Sequence, residues 1–336
     1  MSKKVTIYEV AKVAGVAIST VSRVLNDSPN VSAETKEKVQ NAIDELSFRP
    51  QVSARKLASK EPHILAIAVP SFTTPFFNEV LKGVKDEIQK MDLDIILYNT
   101  GSKDPEEAVI NFFDRGTADA LILLSIDVSE TAHKHLQTTH IPIVLVNSSH
   151  ESYNYYMVND YKGGYMAGEH LVKQGFERIG MITTPIATRS SIERERGFKD
   201  ALLNYKMPID KQFFVTGDTT KHAGFTEESG FEAIYKYNEM NKFPDALFCA
   251  NDTQALGALH ALSKLGMQVP DDIAIMGYDN IKLSKYLDLT TIDQHMHKIG
   301  TLATSRLADI IKDAQSPLVQ EVHSPILVER GSTVKK

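Results

Sequence analysis

The sequence has a single cysteine and no long hydrophobic segment, and both shortages exclude whole classes of protein. With Cys249 alone among 336 residues, an internal disulfide framework and a four-cysteine zinc site are impossible. The longest apolar runs, such as Ile64–Pro70 and Ala120–Leu124, are far too short to cross a bilayer. Charges also interrupt every apolar stretch of the N-terminus, so we expect no signal peptide. These absences predict a cytoplasmic protein with no membrane partner.

Common enzyme motifs are missing as well. The sequence contains no Gly-x-Ser-x-Gly nucleophile elbow and no Walker phosphate loop. Gly163, Gly164 and Gly168 do not have the spacing of a dinucleotide-binding loop. The pair His295 and His297 is not accompanied by the further ligands that a metal site needs. We therefore predict no catalytic residues, no metal site and no cofactor.

Charge is distributed unevenly along the chain. The formal net charge is −6, yet residues 1–60 hold ten Lys/Arg and six Asp/Glu, whereas the remainder holds 27 and 37. A basic head on an acidic body indicates a chain that contacts nucleic acid through one end. On charge alone, chance variation within a short segment is the alternative explanation.

The first fifty residues have the pattern of three short helices. Thr6 is a suitable N-cap for the first helix, with Glu9 as its capping-box partner three residues later. Apolar residues at helical spacing predict a second helix over Ile18–Leu25 and a third over Ser32–Leu46. Pro50 ends this segment, because the residue before a proline avoids the helical region.

The first two predicted helices suit a helix-turn-helix. Ala11 is small enough for the helices to approach closely, and Gly15 allows the tight turn between them. The second helix then presents, near its N-terminal end, Ile18, Ser19, Ser22 and Arg23. A helix of this kind can reach base edges in DNA, although the spacing alone also fits an ordinary small helical domain.

From Ile64 onward the pattern changes to alternating strands and helices. The predicted strands are continuous apolar runs, typical of strands buried on both faces: Leu65–Val69, Ile95–Tyr98, Leu121–Leu124, Ile143–Val146, Ile179–Thr183, Leu247–Ala250 and Ile273–Tyr278. Amphipathic segments lie between several of them: Asn78–Gln89, Gly163–Lys173, Glu193–Asn204 and Thr253–Leu265. This alternation predicts parallel sheets in two α/β halves, one before about Asp160 and one after it.

Specific motifs carry a resemblance to a known family. They are Thr6–Ala11, Gly15-Val16, Ser19–Asn26, Val31-Ser32, Thr35–Val39, Leu46–Pro50 and Ala54–Ala58. With these motifs the head closely resembles that of the lactose/galactose repressor (LacI/GalR) family of bacterial transcriptional regulators, and the similarity continues along essentially the whole chain. The implied fold is α/β, with an N-terminal all-α helix-turn-helix head. The implied body is like a type I periplasmic binding protein, with two doubly wound α/β subdomains.

The resemblance also implies domain boundaries. The DNA-binding head would span residues 1–50, and a hinge helix with its linker would span 51–60. In this family the chain crosses three times between the two subdomains of the effector-binding body. One subdomain would therefore combine 61–160 with 291–320, and the other 161–290 with 321–330.

Roles in DNA binding follow from the same resemblance. Bases in the major groove would be read by Ile18, Ser19 and Arg23. Phosphates or operator edges would be contacted by Thr6, Thr20, Ser22, Asn26 and Asn30. Gln51–Ala58 resembles the family's hinge helix, which folds when two subunits lie side by side on DNA. In this helix the small Ala54 would let the two hinge helices meet. Leu57 matches the leucine that the family inserts as a wedge into the minor groove. Gln51 replaces an asparagine that is frequent in the family, so the contact at the hinge start is open.

Effector-binding residues are predicted at the strand ends of the body. Phe76 and Phe77 could stack on a sugar ring, although for Phe77 packing in the core is an equal alternative. The family's Arg-x-x-Gly-Phe position holds Arg194, and further polar candidates are Asp127, Asn147, Thr219, Asn251, Asp279 and Gln294. Asp252 is assigned as the N-cap of the helix behind it.

The expected effector is a small polar molecule. Amide, carboxylate, guanidinium and hydroxyl groups suit a polyol better than a purine. A sugar phosphate stays open, because Arg189, Arg194, Arg196 and Ser190-Ser191 could meet a phosphate. The resemblance thus predicts a nucleoid-associated repressor of carbohydrate metabolism genes that binds a pseudo-palindromic DNA operator under the control of a sugar or sugar phosphate.

Two further points concern partners. No heptad pattern follows Arg330, so we expect a homodimer rather than a tetramer. A catabolite-control-type global regulator with a phosphoprotein corepressor is the alternative. His297-Lys298 stand where that subgroup commonly has a tyrosine–aspartate pair, which disfavours this alternative, whereas Arg306 keeps it open because it could match a partner-contacting arginine.

Overall fold

The computed structural model describes residues 5–25, 28–48, 64–91, 93–101 and 104–334. It divides the chain into two units, a head up to residue 63 and a body from Ile64 onward. The predicted class of fold is confirmed, because a helical head precedes a body of parallel sheets covered by helices. Within the described ranges, no helix is both long enough and apolar enough to span a membrane.

The head consists of three helices, α1 (Ile7–Ala14), α2 (Ile18–Leu25) and α3 (Ala33–Glu45), as predicted. The backbone N–H of Thr6 donates to Glu9 Oε2 at 2.8 Å, which closes the predicted capping box of α1. Gly15 ends α1 with φ at 65°, a left-handed conformation that glycine adopts without strain. Val10, Val21 and Val39, one from each helix, are fully buried and form the centre of the head's core.

The first sheet of the body contains six parallel strands in the order β11-β5-β4-β3-β1-β2. These strands are β1 (Ile64–Val69), β2 (Asp94–Asn99), β3 (Ala120–Leu124), β4 (Ile143–Val146), β5 (Asn154–Val158) and β11 (Gln320–His323). Helices α4 (Pro75–Ile88) and α12 (Met296–Lys312) cover one face, and α5 (Pro105–Phe113) and α6 (Glu130–Gln137) cover the other. Because both faces are covered, every residue of β1 is buried.

The second sheet contains four parallel strands in the order β7-β6-β8-β9. They are β6 (Ile179–Thr183), β7 (Phe214–Thr216), β8 (Ala246–Cys249) and β9 (Ala274–Met276). The helices around it are α7 (Asp160–Lys173), α8 (Arg189–Asn204), α9 (Glu227–Glu239) and α10 (Asp252–Lys264), followed by the short α11 (Lys282–Tyr286). A two-stranded antiparallel ribbon, β10 (Thr291–Asp293) with β12 (Ile326–Val328), completes this half.

The chain crosses between the two halves three times, after β5, after β10 and after β11. The last two crossings differ from the expected ones. Residues 291–320 were predicted in the first subdomain, but Thr291–Asp293 pairs with Ile326–Val328 in the second half. Residues 321–330 were predicted in the second subdomain, but Gln320–His323 pairs in parallel with Tyr155–Val158 in the first sheet. The crossing to the second half therefore lies between His323 and Ile326.

Strand β2 also differs from the expectation of burial on both faces. Ile95 is 39% exposed and Leu97 47% exposed, because β2 forms the outer edge of the first sheet. Its alternation of exposed and partly buried residues is that of a strand with one open side.

Candidate functional sites

Helix α2 presents one face of the head to solvent. Ile18, Ser19 and Arg23 are exposed and Ser22 is partly exposed, whereas Val21 on the other side of the helix is buried. Residues three or four positions apart share one side of a helix, so these four side chains form a continuous surface. We call this surface, Ile18 with Ser19, Ser22 and Arg23, the recognition face.

The remaining predicted DNA contacts are placed in part. Thr6 and Asn30 are exposed, and Thr20 is partly buried behind the recognition face. The backbone N–H and the hydroxyl of Thr6 both donate to Glu9 Oε2, at 2.8 and 3.1 Å, so Thr6 is held against Glu9 at the start of α1. Asn26, Ala54 and Leu57, with the rest of the hinge segment, lie outside the described residues, and their roles stay predictions.

A cleft of ≈ 400 Å³ lies in the body at the carboxyl ends of strands from both sheets. Parallel sheets bind ligands at this end, because loops and helix N-termini converge there. Seven of the nine predicted effector residues line the cleft: Phe76, Phe77, Asp127, Asn147, Arg194, Asn251 and Asp279. Side chains that are far apart in sequence thus share one site of the size usual for small-molecule pockets.

Arg194 is held rigidly at one wall of the cleft. Helices α7 and α8 approach so closely that a Cβ on Gly197 would collide with the backbone of α7. This approach brings Asp160 to Arg194, whose Nε donates to Asp160 Oδ1 at 2.9 Å while Nη1 donates to the Ala250 carbonyl at 2.7 Å. The guanidinium also lies 3.7 Å from the centre of the Tyr278 ring.

The charges around Arg194 stabilise its positive form. Burial opposes the charge, but attraction to Asp160, Tyr278 and Asp279 is larger and raises the pKa of Arg194 above its ordinary value. The guanidinium is therefore a fixed cation whose position is set before any ligand arrives.

Asp279 lies beside Arg194 on the same wall of the cleft. Its carboxylate lies 3.8 Å from Arg194 Nη1 and accepts a hydrogen bond from Gln294 Nε2. Burial raises the pKa of Asp279 to about 8, although the charge of Arg194 acts in the opposite direction. Its backbone has φ at 120°, a conformation that L-residues rarely adopt. The carboxyl group is thus held in a constrained position and carries a proton in many molecules near neutral pH.

Gln294 is one of two predicted effector residues that do not line the main cleft. It lines a smaller neighbouring cavity together with Phe76 and Asn147, and its Oε1 has no hydrogen-bond partner in the part of the chain that the structure describes. Gln294 is 1% exposed, so its contribution to this wall is to hold Asp279.

Thr219 is the second predicted effector residue that does not line the main cleft. Its hydroxyl donates to Glu232 Oε1 at 2.7 Å and its backbone N–H to Glu232 Oε2 at 2.9 Å, so the side chain is turned to α9. The neighbouring Thr220 lines the cleft instead. Sequence position alone does not distinguish these two adjacent threonines, because a shift of one residue in a loop reverses which side chain points inward.

The helix cap behind β8 also differs from the prediction. Asn251, not Asp252, is the N-cap of α10, and its Oδ1 accepts a backbone N–H of the first turn at 2.8 Å. Asp252 is buried, and its carboxylate accepts hydrogen bonds from Ser284 Oγ and Thr291 Oγ1, both at 2.6 Å. Burial raises the pKa of Asp252 to about 6. Asp252 thus fastens the segment after Asp279 to the floor of the cleft.

Polar and aromatic groups of the first half form the opposite wall. Asp127 accepts a hydrogen bond from Ser148 Oγ at 2.9 Å, and Asn147 donates to Ser125 Oγ at 3.0 Å. Phe76 and Phe77 pack edge to face, with their ring centres 5.1 Å apart. Both rings line the cleft and also pack against the core of the first half. Lining the effector site and packing in the core, which were alternatives for Phe77, therefore apply to it together.

Several lining residues were not predicted as part of an effector site. His222 and Phe225 line the cleft from the segment after β7. Strand β7 is only three residues long, so the sequence shows no apolar run there. Without a predicted strand, the loop that follows could not be assigned to the ligand-binding end of a sheet. Arg189, predicted only as a phosphate contact, also lines the cleft. Its Nη1 donates to Ser149 Oγ at 3.2 Å, so it reaches from the second half to the first.

Comparison with known proteins places this geometry in context. A family described as "Bacterial regulatory proteins, lacI family" matches residues 6–51, and a "Periplasmic binding protein-like domain" matches residues 169–333. The chain is 33% identical to the HTH-type transcriptional repressor PurR of Photorhabdus laumondii, over 98% of this chain and 97% of that protein.

Solved structures agree with this similarity. The Lac repressor dimer bound to operator and the anti-inducer ONPF superposes with a TM-score of 0.80 at 27% identity, covering 99% of this chain and 100% of that one. A LacI family transcriptional regulator from Enterococcus faecium with bound ribose gives a TM-score of 0.71 at 27% identity, covering 80% of this chain and 98% of the other.

Proposed function

This chain belongs to the lacI family of bacterial regulatory proteins, and from that premise we propose that it represses carbohydrate genes under the control of a sugar. It is a DNA-binding transcriptional repressor and not an enzyme; it acts as a dimer and binds operator DNA and a small-molecule effector. The identity of that effector, the genes controlled and a location in the cytoplasm with the chromosome are parts of the proposal.

The observation that carries the sugar proposal is the balance of charges at the wall of the cleft that holds Arg194. Arg194 is paired with Asp160 at 2.9 Å and lies 3.8 Å from Asp279, and the raised pKa of Asp279 leaves its carboxyl group partly protonated. A wall in which cations and carboxylates already compensate one another attracts neither an anion nor a cation strongly. It offers directed donors and acceptors, which suit the hydroxyl groups of a neutral ligand.

The aromatic residues of the cleft support the same class of ligand. Phe76, Phe77 and Phe225 supply apolar surface beside the polar wall. A sugar ring has C–H groups on its faces and hydroxyl groups on its rim, so it needs both kinds of surface at once. The ribose complex of the Enterococcus faecium regulator shows that a related body holds a sugar.

A sugar phosphate is the second candidate, and Arg189 is the residue that favours it. Its guanidinium contacts Ser149 Oγ and Met157 Sδ, both at 3.2 Å, and has no carboxylate partner among the residues that the structure describes. A phosphate would find a cation there that the rest of the cleft does not compensate.

A global regulator with a phosphoprotein corepressor is not supported by the contacts of Arg306. This side chain is 7% exposed, and its guanidinium donates to Asn154 Oδ1 at 2.8 Å and to the Pro317 carbonyl. His297, at the position of the missing tyrosine, pairs with Asp86 at 2.8 Å. Arg306 therefore fastens β5 to α12 and is not presented to a partner.

The proposal can be tested by thermal shift of the full-length chain with neutral pentoses and hexoses, their phosphates and free purine bases. A ligand that binds only the folded state stabilises it by about RT ln(1 + [L]/Kd). We expect a neutral sugar to raise Tm, the rise to vanish in Asp279→Ala, and the rise to persist in Arg196→Gln. Arg196 is the matched control, since it is exposed and pairs with Glu193 on the same helix.

Other outcomes separate the alternatives. If only the sugar phosphates raise Tm, and the rise is lost in Arg189→Gln, the effector is a sugar phosphate and not a neutral sugar. Stabilisation by purine bases alone would overturn the carbohydrate proposal while leaving the repressor itself in place.

A further inference from the structure

The side chain of Ile18 is an aliphatic group on a surface that is otherwise built for hydrogen bonding. We propose that Ile18 contacts the C5-methyl group of a thymine in each half of the operator, and so makes that thymine part of the recognised sequence. This inference rests on the proposed function, since it concerns the DNA that the head binds.

Ile18 is left out of the head's core by the fold. It is the first residue of α2 and is 40% exposed, whereas Val21 of the same helix is fully buried. The core is closed by Val10, Val21 and Val39 with partly buried neighbours, among which Ile18 does not occur. Packing of the head therefore does not explain why a large aliphatic residue stands at this position.

The neighbours of Ile18 on the recognition face are polar. Ser19 and Arg23 are exposed, and Ser22 is partly exposed one helical turn after Ile18. Serine hydroxyls and the arginine guanidinium can exchange hydrogen bonds with base edges or phosphates. Ile18 adds the only apolar side chain of this face, at the helix end that enters the major groove.

The chemistry of base edges limits what Ile18 can read. In the major groove the four bases present hydrogen-bond donors, acceptors and a single kind of apolar group, the C5-methyl of thymine. An isoleucine side chain has no hydrogen-bond donor or acceptor. It gains contact energy against the thymine methyl group, whereas against a polar base edge it displaces water from that edge and offers no hydrogen bond in return. Its β-branched side chain has few rotamers, so little conformational freedom is lost on contact.

Exposed aliphatic residues also occur singly on protein surfaces without a function, and the head contains such a case for comparison. Val13 on α1 is 47% exposed and β-branched like Ile18, but it is not part of the recognition face. Val13→Ala is therefore the matched control for the loss of exposed aliphatic surface.

The experiment uses the full-length chain and a duplex recovered by selection from a random DNA pool. Each thymine of that duplex is replaced in turn by deoxyuridine, in both half-sites at once, which removes the methyl group and leaves base pairing unchanged. We expect one symmetric replacement, which removes two methyl groups, to weaken binding about 16-fold, since each methyl group is worth about fourfold. The same replacement should have no effect on binding by Ile18→Ala and an undiminished effect on binding by Val13→Ala.

Each result decides the matter. A duplex in which no thymine is sensitive to loss of its methyl group would overturn the inference while the proposed function stands. A sensitivity that persists in Ile18→Ala would assign the methyl contact to another residue and overturn it as well. Failure to recover any preferred sequence would overturn the proposed function and this inference together. Circular dichroism melting of the variants shows that the head is folded in each case.

Discussion

Arg194 and Asp160 form an ion pair inside the body, with Arg194 Nε donating to Asp160 Oδ1 at 2.9 Å and the two side chains only 4% and 3% exposed. Removing two charges from water is expensive, and the pair compensates this only while both members are present. The geometry has a functional consequence, because it fixes the guanidinium that lines the cleft before an effector binds.

Removal of one partner of this pair should destabilise the body strongly. Asp160→Ala removes the carboxylate that is hydrogen-bonded to Arg194 and leaves Asp279, 3.8 Å away, as its nearby acidic group, and we expect a loss of about 3–5 kcal/mol in the free energy of unfolding. Urea denaturation followed by circular dichroism measures it. Glu193→Ala breaks an exposed pair on the same helix and should change stability by less than about 1 kcal/mol. Similar losses in the two variants would contradict the compensation argument.

The raised pKa of Asp279 should appear in the pH dependence of stability. Its folded-state pKa of about 8 lies above the ordinary value of 3.8, so the folded chain holds a proton that the unfolded chain releases. This stabilisation is complete below about pH 4 and is lost as the pH rises toward and through 8.

The test compares the ligand-free wild type with Asp279→Asn, whose side chain cannot titrate. Between pH 5 and 8 the wild type should lose stability relative to the variant by up to about 1.4 kcal/mol per pH unit. The pKa of Asp252 is raised as well, and Asp252 is present in both proteins. A difference that is constant or rises with pH would show that Asp279 stays ionised beside Arg194.

Long apolar runs and helical periodicity were the parts of the fold that the sequence predicted well. The runs over Ile143–Val146 and Ile179–Thr183 match strands β4 and β6 residue for residue. Helix α2 likewise matches its predicted range. Such elements carry their own signal, because burial on both faces or helical spacing of apolar residues is written in consecutive residues.

Short strands such as β7 and β10 were missed because their signal lies elsewhere in the chain. The ribbon of β10 with β12 joins Thr291–Asp293 to Ile326–Val328, and neither segment is a recognisable strand without the other. Cleft residues were likewise predicted only where the strand before them was predicted. Asn251 and Asp279 end predicted strands and were found, whereas His222 and Phe225 follow a three-residue strand and were not.

The open edge of the first sheet should take part in the dimer. Ile95 and Leu97 leave aliphatic surface on β2, an exposed edge that a monomer would have to protect. We expect Leu97→Asp to shift the dimer toward monomer in analytical ultracentrifugation and to weaken operator binding, since two heads would no longer be held together. Leu203→Asp, at a residue 57% exposed on α8, should leave both properties unchanged. An unchanged dimer in Leu97→Asp would place the interface elsewhere.

Arg23 should determine operator preference rather than general DNA affinity. Its guanidinium is exposed on the recognition face, and a paired contact to one base is worth about 1–3 kcal/mol of discrimination. A phosphate contact would instead weaken binding to every sequence by a similar factor and lower the salt dependence. We therefore expect Arg23→Ala to reduce the ratio of operator to random-sequence affinity by about 5- to 150-fold, measured by fluorescence anisotropy at one salt concentration. Lys38→Ala removes the same charge from α3, where Lys38 pairs with Glu34 at 2.8 Å, and should leave that ratio unchanged. If Arg23→Ala weakens operator and random DNA equally, Arg23 binds the backbone and base reading belongs to the other residues of the face.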